Sequence, residues 1–302
     1  MKTRTLFLIS ILLIGLLPGS TFAQDYPSGS LLWKISGNNL EKPSYLLGTL
    51  HLKSGNYLNE IAGAAEAIAE SEQIIGELDM TDMAKIQQQM MPAMMMSADT
   101  TYKLLYTEEE YKLVSEKITS ILGMGLDQLG MLKPSAIQTT IVALIFKKLI
   151  PDSDEANSLD IVIQRIGQEG NKPIIGLEEV NNQVQALFGA SLQRQAELLL
   201  CNLQNLDELG IHEASVLVAN YDKADLNALY FDSFQSDDSS CPSTKEEKDL
   251  LLKHRNDKWL EKLPALMKEK SSFIAVGALH LAGEEGLLHQ LTLLGYVIEA
   301  VN

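Results

Sequence analysis

Two of the chain's histidines occupy matching positions near opposite ends of the sequence. Tyr45-Leu-Leu-Gly48-Thr-Leu-His51 and Phe273-Ile-Ala-Val-Gly277-Ala-Leu-His280 are both apolar runs ending in glycine, with a histidine three residues on. A glycine at the end of a strand lets the backbone turn sharply at the carboxyl edge of a sheet. The following histidine then projects into the crevice where open α/β sheets bind ligands. Two imidazoles meeting there suit a transition metal or acid–base chemistry. One Gly-x-x-His says almost nothing, because many loop histidines simply bond backbone; two copies in the same context are informative. Glu77 follows the apolar stretch Gln73-Ile-Ile-Gly76 and is expected at the same edge. With His51 and His280 it makes a His₂Glu set, able to hold a divalent ion while leaving a position open for water. Glu178, after Ile174-Ile-Gly-Leu177, reads as a fourth ligand, a general base or an orienting group, or else as an acid at the start of the next helix.

These residues need a sheet to carry them. Residues 31–36 and 44–47 read as strands, residues 59–71 as an Ala-rich helix, and residues 73–78 as a third strand. The middle reads as mostly helical. Thr107 with Glu110 forms a capping box for a helix to about Leu122, and further helices are expected over residues 136–149 and 154–168. A buried strand is expected at 173–178, then three or four helices to Tyr230, a polar loop over 232–248, and one long helix over 246–270 bent at Pro264. Residues 273–276, 284–294 and 296–301 repeat the strand–helix–strand order of the beginning. The predicted fold is a single α/β domain over residues 24–302. Its central mixed sheet is built from both chain ends as two strand-GxxH-helix-strand units, with a helical insertion over about 80–270 interrupted by the core strand near 173–178.

Among 302 residues, 24 are Lys or Arg and 40 are Asp or Glu, for a net charge of −16. Without a basic stripe, such a chain is a poor partner for nucleic acid or anionic membrane. Residues 1–23 have the layout of a cleaved secretory leader: Lys2 and Arg4, an apolar run over 6–17, and Thr21-Phe-Ala23 before the cut. Export is therefore expected, periplasmic or extracellular, with no stable membrane insertion after cleavage. In an oxidising compartment Cys201 and Cys241 are expected to pair, the alternative being one buried and one exposed free thiol. HExxH, GxSxG and CxxC motifs are absent. Met90, Met91, Met94, Met95 and Met96 read as flexible packing or an apolar peptide-binding surface rather than a copper site. His212, His254 and His289 read as structural.

The motifs together resemble the TraB/PrgY/GumN family, whose eukaryotic relatives include the Tiki proteases. The resemblance rests on the two Gly-x-x-His segments, Ile75-Gly-Glu77, Gly176-Leu-Glu178 with Gln183 after it, Arg255-Asn256, and Leu294-Gly-Tyr296. It implies a fold shared with erythromycin-esterase-like and haem-binding ChaN-like proteins. It also implies motif histidines at His51 and His280, the acidic residue at Glu77, and a functional Arg-Asn pair at Arg255 and Asn256. The expectation is an exported metal-dependent hydrolase acting on a peptide or protein substrate. The ion, a divalent transition metal such as zinc, manganese or cobalt, would lie between His51, His280 and Glu77, near Gly48 and Gly277. Glu178 or Glu77 would take a proton from water, and Arg255 or Asn256 would stabilise the oxyanion. The competing readings are a haem- or metal-binding protein without turnover and a metal-independent esterase.

Overall fold

The computed structural model describes residues 29–150, 152–206, 208–235 and 241–302; the expected leader lies outside them. Six strands form one mixed sheet: β1 Leu32–Gly37, β2 Ser44–Thr49, β3 Gln73–Gly76, β4 Ile174–Gly176, β5 Ser272–Gly277 and β6 Tyr296–Ala300. Their order is β4-β3-β5-β2-β1-β6. β5 runs parallel to both β2 and β3, β4 runs parallel to β3, and β1 is antiparallel to β2 and β6. The last part of the chain therefore inserts between the two early parallel strands, and both chain ends build one sheet as expected. β2, β3 and β5 are central, and their nearly continuous burial matches their unbroken apolar sequence. β6 alternates buried and exposed positions, as an edge strand with one wet face should. β4 is only half-buried, against the expectation of a buried strand, because it is the opposite edge.

The helices are α1 Ala64–Glu70, α2 Met83–Ala93, α3 Glu108–Leu122, α4 Leu126–Leu129, α5 Pro134–Leu149, α6 Leu159–Glu169 and α7 Val180–Phe188. There follow α8 Leu192–Gln204, α9 Glu208–Asp222, α10 Leu226–Tyr230, α11 Lys245–Leu251, α12 Lys253–Leu260, α13 Leu263–Glu269 and α14 Leu287–Leu293. Thr107 caps α3 through the expected reciprocal bonds with Glu110. The insertion has its own core, where Val114 and Ile118 of α3 meet Ile137 and Ile141 of α5 and Leu199 and Leu203 of α8. Cys201 of α8 is disulfide-bonded to Cys241, with Cα atoms 5.8 Å apart. Met96 is buried in this second core, Met90 packs against Ile86 and Val180, and Met91 is exposed.

Several helices are shorter than the sequence pattern predicts. Over 59–71 the helix begins only at Ala64: a 3₁₀ segment runs to Glu60 and is capped by Ile61, and the left-handed Gly63 (φ 71°) is the N-cap of the α-helix. Over 154–168 it begins at Leu159, after a 3₁₀ turn. The expected long helix over 246–270 is three helices. Leu252 leaves helical geometry (φ −120°, ψ −69°), and Pro264 sits in the first turn of α13, where its missing N–H costs nothing. The stretch expected as a polar loop contains a π turn at Phe231–Gln235 and the start of α11; residues 236–240 lie outside those described. Among the described residues no helix is long and apolar enough to cross a membrane.

Candidate functional site

The parallel strands bring their carboxyl ends to one edge, and in β2 and β5 Thr49 lies beside Gly277. His51 and His280 follow these strands, Glu77 follows β3, and Glu178 lies two residues past β4. The Glu77 carboxylate is buried at the centre. Its Oε1 accepts from the Gly277 N–H at 2.8 Å, and its Oε2 from Gln183 at 3.1 Å and from Arg255. His51 Nε2 and His280 Nε2 stand 3.8 and 3.9 Å from Glu77 Oε1. Gly277 keeps the space between them open. A Cβ there would lie 3.3 Å from Glu77 Oε1, 3.5 Å from His51 Nε2 and 3.6 Å from His280 Cδ2. Gly48 does a different job: a Cβ there would lie 3.0 Å from the Ala278 backbone, so its bareness lets the turn carrying His280 pack on β2.

Each ring is anchored from behind. His51 Nδ1 is 2.9 Å from Asp160 Oδ2, and Asp160 Oδ1 accepts from the Thr49 hydroxyl at 2.8 Å. His280 Nδ1 is 2.7 Å from Asn256 Oδ1. Asn256 gives its amide hydrogens to the carbonyls of His280 and Glu285, so its oxygen must face the ring. A ring nitrogen facing an acceptor carries the proton, which assigns Nδ1–H to both histidines and points both Nε2 atoms toward Glu77. Trp259 lies against the His280 ring, with centroids 4.4 Å apart.

Arg255 ties the carboxylates together. Its Nε donates to Glu178 Oε1 at 3.0 Å, and its terminal nitrogens reach Glu77, Glu178 and, at 2.9 Å, His280 Nε2. Burial would raise the Glu77 carboxyl, but the nearby His51, the His280 ring, the Arg255 guanidinium and the Gly277 N–H outweigh it and hold it at about 2. Burial takes His280 down to about 3, so it is neutral. The Asp160 carboxylate raises His51 to about 9, and a side chain 55% open to solvent meets little of the desolvation that would oppose this.

These charges and donors allow a test of fit for a divalent ion. Glu77, Glu178 and Asp160 are three buried carboxylates, and among the described residues Arg255 is the one permanent cation bonded to them. Three negative charges and one positive leave a deficit of two, which a divalent ion would balance once His51 gives up its proton. Two imidazole nitrogens and a carboxylate oxygen are the right donor types. Ligands of a tetrahedral ion with ~2.0–2.1 Å bonds lie about 3.3–3.4 Å apart. The present spacings are about half an ångström wider, and among the described residues no group of three or more His, Cys, Asp or Glu is arranged to hold an ion as it stands. Arg255 would also have to release His280 Nε2. The residues fit the group after that small contraction.

The TraB/PrgY/gumN family model matches residues 31–300. The chain belongs to this family. No curated protein and no solved structure matches it. In this family member the structure brings His51, Glu77, Glu178, Arg255, Asn256, Gly277 and His280 to one site, with Gly48 behind it. His212 and His254 are exposed on helices, and Nδ1 of His289 is buried without a partner. Sequence reasoning missed Asp160, Thr49 and Trp259, and it had Gln183 only as part of the family motif.

The buried imidazole gives a pH signature. A histidine with a lowered folded value stabilises the fold above its ordinary value, because the unfolded chain takes the proton first. Stability should therefore fall as pH drops from about 6.5 toward 3. Glu77 adds its own loss only from about 4.5 toward 2. His51 works in the opposite sense, its contribution being complete below about 6.5 and lost as pH rises through 9. Urea denaturation between pH 6.5 and 4.5 should show a slope that His280→Asn flattens. An unchanged slope in that variant would mean that His280 is not held neutral.

Proposed function

We propose that this family member is an exported, metal-dependent hydrolase of peptide bonds. In this reading His51 Nε2, His280 Nε2 and Glu77 hold a divalent transition ion such as zinc, manganese or cobalt. The observation that carries the reading is the pair of rings tied at Nδ1, one by Asp160 and one by Asn256, with both Nε2 atoms turned on one buried carboxylate. Outer partners of this kind are how proteins orient metal-ligating histidines. A bound ion would acidify water and polarise a scissile carbonyl.

The chain's own groups divide the remaining work. Glu178 has both oxygens engaged by Arg255, whereas Glu77 Oε1 faces the cavity in front of Gly277. Glu77 is thus the carboxylate placed to accept a proton from water there. Asn256 is fully committed to His280 and two carbonyls, so it orients and does not bind an oxyanion. Arg255, kept charged by its two carboxylates, is the donor available to a developing oxyanion once it turns from His280. Met80, Met90 and Val184, half-buried against Leu78, Ile86 and Val180, form a small apolar cluster on α7 and its neighbours that would offer a wall for substrate side chains.

A second reading has one observation in its favour. Arg255 Nη1 holds the lone pair of His280 Nε2 that an ion would need. In that reading the same residues make a metal-independent esterase, and His51 and Glu77 activate water directly.

Elemental analysis and hydrolysis of a peptide mixture before and after chelation separate the readings. Chelator-sensitive turnover supports the first, chelator-insensitive turnover the second, and metal without turnover a binding protein. Gly277→Ala tests the location. Its backbone (φ −53°, ψ 135°) suits alanine, so melting should shift little while the methyl fills the cavity. Ion binding and turnover should fall at least ~100-fold, about 2.7 kcal/mol. Retention of both would place the chemistry elsewhere.

A further inference from the structure

We propose that Thr49 and Asp160 act together as positioning residues that decide which nitrogen of the deprotonated His51 ring keeps its proton, so that the ring, once neutral, turns an Nε2 lone pair toward Glu77. The inference deepens the hydrolase reading and rests on it for its consequence, although the proton assignment can be measured with no ion present.

Asp160 is the second residue of α6, and only 5% of its surface is exposed. Thr49, the last residue of β2, is 2% exposed. The half-exposed His51 ring is thus steered by a pair that water barely reaches. A carboxylate only accepts, so Thr49 must donate to Oδ1 and His51 must donate from Nδ1 to Oδ2. Among the described residues the Thr49 hydroxyl donates to Asp160 alone.

The arrangement makes an uncommon prediction for Asp160→Asn. An amide has one acceptor and one donor end. If its oxygen stays with Thr49, its NH₂ points at His51 Nδ1, and the ring must move its proton to Nε2. If it flips, its oxygen keeps the original His51 proton, but the buried Thr49 hydroxyl loses its acceptor. Leaving a buried donor unsatisfied is costly, while the Nε2–H form can donate toward Glu77 or water. The first arrangement should dominate, and the neutral His51 ring should present an N–H at Nε2 where the neutral parent ring presents a lone pair. A wrong tautomer of this origin is known to disable a catalytic histidine on other folds. Thr49→Val in the same background removes the hydroxyl that pins the amide and lets it turn. Thr49→Ser keeps the hydroxyl and should not.

The experiment is ¹⁵N NMR of ring-labelled His51, recorded above pH about 9 so that the ring is neutral, in Asp160→Asn, Asp160→Asn/Thr49→Val and Asp160→Asn/Thr49→Ser. Calorimetric titration with manganese or zinc alone runs beside it, with the parent chain included. Asp160→Asn and the serine double variant should show the Nε2–H pattern and bind the ion ~10–100-fold more weakly than the parent. The valine double variant should recover Nδ1–H signal and part of the affinity. Cooperative unfolding of each variant checks that it is folded. If a valine variant fails to fold, Thr49→Ala takes its place. Identical ring spectra in the three variants, or an Nδ1–H ring in Asp160→Asn, would overturn the proposal. If the spectra behave as expected but even the parent binds no ion, the positioning stands and the metal reading fails.

Discussion

Arg255→Met should destabilise the folded chain by about 3–5 kcal/mol at neutral pH, the usual cost of removing one partner from a buried ion pair. The side chain is 14% exposed, and its guanidinium bonds Glu77 and Glu178, whose carboxylates are buried. Methionine keeps much of the volume over Trp259, above which the guanidinium now lies at 4.9 Å. The loss is therefore mainly of charge and hydrogen bonds. Without Arg255, two buried carboxylates face each other with only His51 to offset them. Two features identify this cause. The penalty should shrink as pH falls toward 4, because protonation removes the repulsion; a packing defect would persist. A millimolar divalent ion should also restore part of the lost stability, since a ligand bound only by the folded state stabilises it by mass action. Urea midpoints at pH 7 and pH 4, with and without manganese, decide the matter. A variant as stable as its parent at pH 7 would show that Arg255 does not compensate the two acids.

The same residue shows where the sequence stops being informative. The two Gly-x-x-His segments are legible because each is a local pattern: an apolar run, a bare turn and one polar side chain within seven residues. Their meeting is less so. That β5 lies between β2 and β3 depends on strand order, which no local pattern encodes, and only the repetition at both ends hints at it. Glu77 and Glu178 could be placed because each directly follows a short apolar strand. Arg255 reads as an ordinary surface cation in a long helix. It turns inward because the helix breaks at Leu252, whose sequence context contains neither glycine nor proline. Asp160 was invisible for a different reason. An acid in the first turn after Ser158 is what any helix N-terminus favours, so its service to His51 hides behind an ordinary explanation. Gln183 has no such signal at all. Glutamine on an amphipathic helix is unremarkable until the helix is docked beside a carboxylate.

Glu77→Gln is expected to cost more than its conserved shape suggests. All the hydrogen-bond partners around Glu77 are donors: Gly277 N–H at one oxygen, and Gln183 and Arg255 at the other. A carboxylate satisfies them with two accepting oxygens. A glutamine amide has one oxygen, so its NH₂ must face donors in either orientation. A buried unsatisfied pair costs about 1–3 kcal/mol, and the lost charge leaves Arg255 and His51 without their shared counterion. Stability should fall by roughly that amount. The functional loss should be larger. The variant lacks both the anionic ligand and the proton acceptor at the Gly277 cavity. Turnover should therefore drop at least ~1,000-fold, about 4 kcal/mol of barrier, and ion binding should become undetectable by calorimetry. Glu178→Gln separates structure from chemistry. It faces the same donor conflict through Arg255, so its stability should fall comparably, but it leaves Glu77 Oε1 in place and should retain measurable ion binding. If Glu77→Gln and Glu178→Gln lose ion binding and turnover to the same degree, Glu77 has no special place at the centre. If Glu77→Gln keeps turnover within tenfold of the parent, the chemistry is not at this edge of the sheet.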